Sequence, residues 1–254
     1  MCGRYVASSP PGELARYFGA EQRAEQLLGA DYNVAPTREV FTVLHDGDAR
    51  VLVTSRWGLI PFWAKDAKIG NRMINARSET VAEKSAFRSA FKKKRCIIPA
   101  DGFYEWTKPE GKKRQPWFIH RPDGEPYAFA GLWETWRGPD KDQEPLRSCT
   151  ILTGAANEPM SKIHDRMPIM LPPSAWATWL DSEVDDLDTL GKFLVPAPPE
   201  VIRFHPVSTE VNNARSRGEE LIEAIEIDQA DDVRTDEGRT HDGRTVDSDG
   251  AAAS

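Results

Sequence analysis

Up to Phe204 the chain is built from short apolar runs broken by turn-forming residues, not from long periodic stretches. Val40–Leu44, Val51–Trp57, Cys96–Pro99, Trp117–His120, Tyr127–Trp133, Thr150–Thr153, Pro168–Leu171 and Val201–Phe204 are rich in β-branched and aromatic side chains. Such residues suit a pleated surface, so these runs predict strands. Helical spacing is confined to four places. Leu14, Tyr17 and Phe18 follow Ser9, an expected N-cap, and Pro10-Pro11; Val81, Ala86, Phe87, Ala90 and Phe91 follow Ser78, a second expected cap. Ser174–Leu180 and Asp185–Leu194 predict two shorter helices. There is no internal repeat and no βαβ alternation. The pattern therefore predicts an α+β fold: a mostly antiparallel, curved, barrel-like sheet system with a few helices.

The pattern stops near residue 227. From Asp228 the chain is rich in Asp, Thr, Gly, Arg and Ser with almost no large apolar residue, so residues 1–226 are expected to form the catalytic domain and 227–254 a disordered acidic tail. Dividing the charge along the chain changes its meaning. Residues 219–254 carry twelve acidic side chains against Arg234, Arg239 and Arg244, so of the net −7 about −9 belongs there and about +2 to residues 1–218. A body of that balance can offer a positive groove to a polyanion. Lys92-Lys93-Lys94-Arg95 and Lys112-Lys113-Arg114 are its basic runs, although such runs are more often solvated faces.

No apolar run approaches the ~18 residues that cross a bilayer, and Pro10, Pro11, Glu13 and Arg16 interrupt any leader-like start. Cys2, Cys96 and Cys149 are too few and too scattered for a disulfide framework, which fits a reducing, cytoplasmic setting. They also lack paired ligand spacing, so no metal site and no cofactor is expected.

The chemistry begins at the second residue. Removal of Met1 would leave Cys2 with an α-amine and a thiol on adjacent carbons, titrating near ~8 and ~8.5. An aldehyde meeting that pair can form an imine and close through sulfur to a thiazolidine. An ester or amide would instead be attacked by the thiolate, with the amine as base. Position alone leaves both branches open, beside an inert small residue at a chain start. Asn71–Glu79 packs amides and guanidiniums into what reads as a loop before a helix, and Arg and Asn suit phosphate and sugar oxygens. Glu105, between Tyr104 and Trp106, stands where desolvation would raise a carboxyl toward acid–base use; the plainer alternative is a hydrogen-bond partner at a strand end. His164 has Asp165 and Arg166 beside it, and imidazole passes protons at neutral pH. Trp57, Trp63, Trp106 and Trp117 adjoin polar motifs and could stack on exposed bases, though most tryptophans are core residues.

Seven runs in order, Cys2–Tyr5, Tyr32–Thr37, Arg56–Pro61, Asn75–Glu79, Asp101–Trp106, Ile163–Pro168 and His205–Ser208, resemble the SOS-response-associated peptidase family. The resemblance runs from residue 2 to about 226. It implies a protein that recognises abasic sites in single-stranded DNA and crosslinks to them through Cys2, which selects the aldehyde branch. It further implies that Asn75 and Arg77 hold the DNA and the abasic sugar, that Glu105 assists ring opening, and that His164 promotes Schiff-base chemistry and crosslink reversal. Arg4, Asn33 and Trp106 fall in matching motifs and are expected to line the site. Self-removal of Met1 and strand scission by β-elimination are implied secondary activities, in a monomer that associates with the nucleoid when acting on DNA. Two rivals remain: an N-terminal-nucleophile glutamine amidohydrolase, which begins with a similar processed cysteine, and a noncovalent single-stranded DNA-binding module.

Overall fold

A computed structural model describes residues 2–24, 26–107, 114–139 and 144–227. Met1, Lys112, Lys113 and the expected acidic tail from Asp228 onward lie outside the described residues. In chain order the elements are β1 (Tyr5–Ala7), α1 (Pro11–Phe18), β2 (Glu21–Gln22), β3 (Asp31–Val34), β4 (Glu39–Asp46), β5 (Ala49–Trp57), β6 (Asn75–Arg77), α2 (Arg88–Lys93), β7 (Arg95–Ala100), β8 (Gly102–Thr107), β9 (Gln115–His120), β10 (Tyr127–Trp136), β11 (Leu146–Ala155), α3 (Glu158–Ser161), β12 (Arg166–Pro168), α4 (Trp176–Leu180), α5 (Leu187–Gly191) and β13 (Arg203–Pro206).

The strands make two sheets. One has five strands in the order β13-β9-β8-β1-β3; the other runs β12-β11-β10-β7-β4-β5-β2 with β6 added beside β11. A parallel pairing of β11 with β5, Ser148 to Arg56 and Cys149 to Trp57, closes β5-β4-β7-β10-β11 into a ring. The expected barrel-like, mostly antiparallel α+β architecture is therefore present.

Closure explains why the ring strands read as continuous apolar runs, since both of their faces are covered. Phe41, Val43, Leu52, Ile97, Ala130, Leu132 and Leu152 pack toward α1, α2 and α4. Val40, Leu44, Val51, Val53, Ile98, Phe129 and Ile151 pack on the other side with Tyr5, Val34, Phe103 and Ile119 of the five-stranded sheet. Of the polar residues that fall inside, Thr42 and Ser55 share a hydroxyl hydrogen bond of 2.7 Å, whereas Thr150 Oγ1 is buried with no partner among the described residues.

β11 has neighbours on both edges. Along one, β10 pairs with residues 146–151 and β12 with 153–155; along the other, β5 pairs at 148–149 and β6 at 151–153. Gly58 follows β5 at φ 121°, where an added Cβ would lie 2.5 Å from the Gly70 carbonyl oxygen, so only glycine lets the 66–73 turn approach β5.

Several expectations change. Ser9 does not cap α1; Pro10 is the N-cap, and the Ser9 hydroxyl turns to Asp101, whose carboxylate also accepts from the amides of Ser8 and Ser9. Ser78 caps nothing, because residues 78–87 are turns and α2 spans Arg88–Lys93 alone. Asn75–Arg77 is a strand, not a loop. Much of the Lys92–Arg95 run serves the fold. Arg95 is buried and donates to the carbonyls of Phe91, Lys92, Trp179, Asp181 and Val184, closing the ends of α2 and α4, while Lys94 pairs with Glu134 and Lys93 with Asp185. Burial lowers the Arg95 guanidinium to about 10.

Asp101 ties the residues that follow β1 to the start of β8. Asp101→Ala removes a charged acceptor from two amides and two hydroxyls and is expected to cost about 2–4 kcal/mol. Urea unfolding should show a lower midpoint at unchanged slope; an unchanged midpoint would mean that the two serines are equally well served by water.

Candidate active site between the two sheets

Cys2 reaches the seam between the sheets because β1 pairs with β8 and the pairing continues past its first residue. Tyr5 stands opposite Phe103, and the Tyr104 amide donates to the Arg4 carbonyl at 3.0 Å. The same register sets Gly3 opposite Glu105. From the other sheet Asn75 of β6 donates its side-chain amide to the Cys2 carbonyl at 2.7 Å. Cys2 is fully buried, within a cluster that includes Trp57, Ile151, Met160 and Met167, and its thiol donates to the Arg4 carbonyl at 3.7 Å. Burial, with the Glu105 charge adding to it, pushes the thiol well above its ordinary range. The sequence value near ~8.5 thus gives way to a thiol held neutral until something reorganises around it.

Glu105 is 3% exposed. Burial raises its carboxyl, and the positive charge of His164 works against that rise. Glu105 and His164 are therefore electrostatic neighbours, although 59 residues separate them in the chain. His164 Nδ1 meets two groups, the Arg166 amide at 3.0 Å and the Asp165 carboxylate at 2.8 Å. One lone pair or one proton serves one of them at a time. The Asp165 side chain is 86% exposed and hydrates readily, so the partly buried Arg166 amide has the stronger claim and assigns the ring proton to Nε2. Protonation would exchange the partners.

Arg166 anchors this segment. Its guanidinium makes a two-pronged contact with Glu79, 3.0 Å at each prong, and donates to the Thr153 carbonyl at 2.6 Å. Because Glu79 follows β6, one ion pair joins the segment bearing His164 to the segment bearing Asn75 and Arg77. β6 is further fixed by the Ile74 carbonyl, which accepts from Trp57 Nε1 at 2.9 Å and from the Ile151 amide at 3.1 Å. Asn75 Oδ1 and the Tyr5 hydroxyl are buried with no hydrogen-bond partner among the described residues.

Cys2, Asn75, Glu105 and His164 thus converge, and Arg77 is exposed at the end of β6. Arg4 and Asn33 are spent otherwise. Arg4 donates to Asn33 Oδ1 at 2.8 Å and to the Val211 carbonyl at 2.9 Å, while the Asn33 amide donates to the carbonyls of Val211, Asn213 and Ser216. Asn33 is fully buried, and it fastens residues 211–216 to the sheet. Trp106 donates to Asn212 Oδ1 at 2.7 Å and lines a cleft of about 590 Å³ with Arg114, Thr209 and Asn212. Arg114 belongs to the Lys112-Lys113-Arg114 basic run, whereas Asn212 is not singled out from sequence because it lies in no periodic or motif pattern. Among the tryptophans, Trp57 is fully buried and cannot stack on a base, Trp117 packs on Phe204, and Trp63 is 48% exposed beside Phe62. A larger cleft of about 800 Å³, lined by Arg16, His45, Asp48 and Arg50, contains none of the converging residues. Among the described residues no group of three or more His, Cys, Asp or Glu could hold a metal, and no helix is long and apolar enough to cross a membrane.

The family model for SOS response associated peptidase (SRAP) matches residues 1–214. The chain is 42% identical over 225 residues to the abasic site processing protein YoqW of Bacillus subtilis, covering 88% of this chain and all of that one. It is 35% identical to the abasic site processing protein HMCES of Gallus gallus, over 89% of this chain and 79% of that protein. A crystal structure of a protein from Bacteroides thetaiotaomicron shares the fold at a TM-score of 0.80 and 23% identity, over 88% of this chain and all of that one. This chain belongs to the SOS response associated peptidase family.

Proposed function

We propose that this protein captures abasic sites in single-stranded DNA covalently through Cys2 once Met1 has been removed, shielding the lesion from cleavage. The observation that carries this reading is the seam itself: Asn75 holds the Cys2 carbonyl from one sheet while Glu105, buried and raised, acts on Cys2 from the other. The names of the relatives, abasic site processing proteins, support it.

The abasic sugar is a cyclic hemiacetal in balance with its open aldehyde. Opening transfers the anomeric hydroxyl proton to the ring oxygen, and a carboxyl that holds its proton above the usual range can give to one oxygen and take from the other. The freed α-amine of Cys2 then adds to C1′. Loss of water from that adduct, with His164 moving the proton, leaves an imine. Addition of Sγ to the imine carbon, with the thiol proton passing to nitrogen, closes the thiazolidine. One water is released in all, and no oxidant or reductant is needed. The raised thiol suits this order, because sulfur acts after the imine and not as a free thiolate beforehand. The unpartnered Asn75 Oδ1 is an acceptor suited to the α-amine or to a sugar hydroxyl. Arg77 and Trp106 flank the path for phosphate and base contacts, and Arg4 and Asn33 serve by holding the 211–216 wall. Self-removal of Met1, a hydrolysis of the Met1–Cys2 amide that consumes one water and precedes capture, and β-elimination from the imine, which competes with ring closure, are secondary activities, carried by residues 1–226 as one domain.

Incubation of Met1-processed protein, verified by intact mass, with an oligonucleotide bearing one abasic site should give a band shifted under denaturing conditions, absent with an intact strand. Cys2→Ala should abolish it and Glu105→Gln should slow it about 10²-fold or more. Full adduct from Cys2→Ala would refute the covalent reading in favour of a noncovalent module, and glutaminase turnover without adduct would favour the amidohydrolase.

Glu105 makes a second, independent prediction. Its folded value lies above the ordinary 4.5, so the native state holds this proton more tightly than the unfolded chain. Its stabilising contribution is complete below the unfolded value and is lost as pH rises through the folded one. Glu105→Gln mimics the protonated form. The variant's urea midpoint should therefore exceed wild type at about pH 8 by more than it does at about pH 4; a gap that does not change with pH would show that burial does not raise this carboxyl.

A further inference from the structure

The ring of His164 is placed from two directions. On one side the Arg166 amide meets Nδ1 at 3.0 Å, and Arg166 is itself fixed by pairing with Ala155 of β11. On the other, the amides of Ile163 and His164 both donate to the Met160 carbonyl at 2.9 Å. Met160 is fully buried in the apolar cluster that holds Cys2. Its carbonyl therefore carries the His164 backbone while its side chain packs in the cluster with Cys2.

Met160 is held in turn by Asn157. Asn157 is the N-cap of α3, and its Oδ1 accepts from the Met160 amide at 3.1 Å. Its Nδ2 donates to the Ala197 carbonyl at 2.8 Å, and its own amide meets Met167 Sδ at 3.3 Å. Ala197 and Met167 belong to the Cys2 cluster as well. Asn157 is buried, and each of its polar groups reaches a different segment. A helix of four residues has too few internal hydrogen bonds to hold its own start, so the cap decides whether the Met160 carbonyl stays aimed at His164. Among the usual N-caps only asparagine also carries an NH2 group that can donate to Ala197.

We propose that Asn157 is a positioning residue for His164, acting through the Met160 carbonyl, and that its two arms divide the work: Oδ1 sets the imidazole and Nδ2 sets stability. This rests on the proposed function, in which His164 moves the proton as water leaves the amine adduct. Without the Oδ1 arm the first turn of α3 frays, the Met160 carbonyl turns away, and the His164 amide is released. Arg166 stays with β11, so the ring leaves the Arg166 amide and the proton is no longer confined to Nε2. A group displaced by about 1 Å can lose on the order of 10²-fold in rate.

Two variants separate the arms. Asn157→Ala removes both, whereas Asn157→Ser keeps an acceptor for the Met160 amide and loses the donor to Ala197. Both should lower the urea midpoint. Single-turnover adduct formation at saturating abasic strand should slow by about 10- to 10²-fold with Asn157→Ala and stay within about twofold of wild type with Asn157→Ser. The strand concentration giving half the maximal rate should change with neither. In a His164→Ala background, Asn157→Ala should slow the reaction no further. The ring itself is read by nitrogen NMR of isotope-labelled histidine in the protein without DNA, the His164 signals being assigned by their loss in His164→Ala. Wild type and Asn157→Ser should show an unprotonated Nδ1 and a protonated Nε2, and Asn157→Ala a mixture of tautomers. Should Asn157→Ala not fold, Asn157→Gly, whose backbone suits an N-cap and which offers no side-chain acceptor, takes its place.

Equal slowing by Asn157→Ala and Asn157→Ser with an unchanged ring signature would mean that Asn157 only stabilises the fold, which overturns the inference and leaves covalent capture intact. Full rate with Asn157→Ala, or further slowing in the His164→Ala background, overturns it as well. If His164→Ala forms adduct at the wild-type rate, the role given to His164 falls and the inference with it, while capture through Cys2 stands. No adduct with wild type would overturn the reading on which both rest.

Discussion

The parallel pairing of β11 with β5 and β6 is the constraint on which the rest of this molecule depends. An interior strand ordinarily has one neighbour on each edge. β11 has two in succession on each, so that both of its edges change partner within about two residues of Ile151. The first partners, β5 and β10, close the ring. The second, β6 and β12, carry Asn75 and the segment that follows His164 to its far end. Ring closure and site assembly are thus consequences of the same strand, and a slip in its register would turn every core-facing side chain outward while separating Asn75 from Cys2.

Burial at the seam has two opposite effects. It destabilises the charged form of Glu105 and the thiolate of Cys2, which is a cost to folding at neutral pH. In the proposed reaction the same burial would keep a proton where ring opening needs one and hold a thiol in reserve until an imine forms. The surroundings compensate with directed hydrogen bonds: Asn75 on the Cys2 carbonyl, Trp57 on the Ile74 carbonyl, and Arg166 on Glu79 and the Thr153 carbonyl. Asn75 Oδ1, on the residue that holds the Cys2 carbonyl, is buried with no hydrogen-bond partner among the described residues, as are the Tyr5 hydroxyl, Thr150 Oγ1 and the Nε atoms of Arg147 and Arg166. An open acceptor beside Cys2 suits the proposed reading, in which a substrate completes its hydrogen bonds.

What could be read from sequence divides along the same line. β4, β5, β7, β9, β10 and β11 are legible because covering both faces, or one face with aromatic packing on the other, leaves an apolar run. β1, β6 and β8 carry or position Cys2, Asn75 and Glu105, and they are not legible as strands. Their residues are polar, glycine-containing or too few for a period, and their extended form is imposed by long-range pairing with β3, β8, β9 and β11. Ser9 misleads for a related reason. A serine before an apolar helical spacing is a cap only if no better partner exists, and Asp101, about ninety residues away, supplies one. The convergence of Cys2, Asn75, Glu105 and His164 is not legible as a geometry, since nothing local pairs Glu105 with His164 or Glu79 with Arg166.

The motifs therefore have to be read by what each side chain touches. Asn33, Trp57, Arg166 and Asn75 all lie in polar runs that suggest chemistry, yet they act differently. Asn33 spends its NH2 group on three carbonyls of the 211–216 wall and its Oδ1 on Arg4, and Trp57 is sealed in the core with its single donor on Ile74. Thr37, in the same run as Asn33, holds a φ of 75° that a β-branched residue rarely adopts, and its amide is tied to the Trp57 carbonyl at 2.8 Å. Strain and specificity in that run serve the frame. Asn75 alone among these places one end of its amide on Cys2 and leaves the other without a partner among the described residues. A polar motif residue whose hydrogen-bonding capacity is saturated by backbone is scaffold, whereas one half-satisfied beside the proposed nucleophile is where a substrate would be felt.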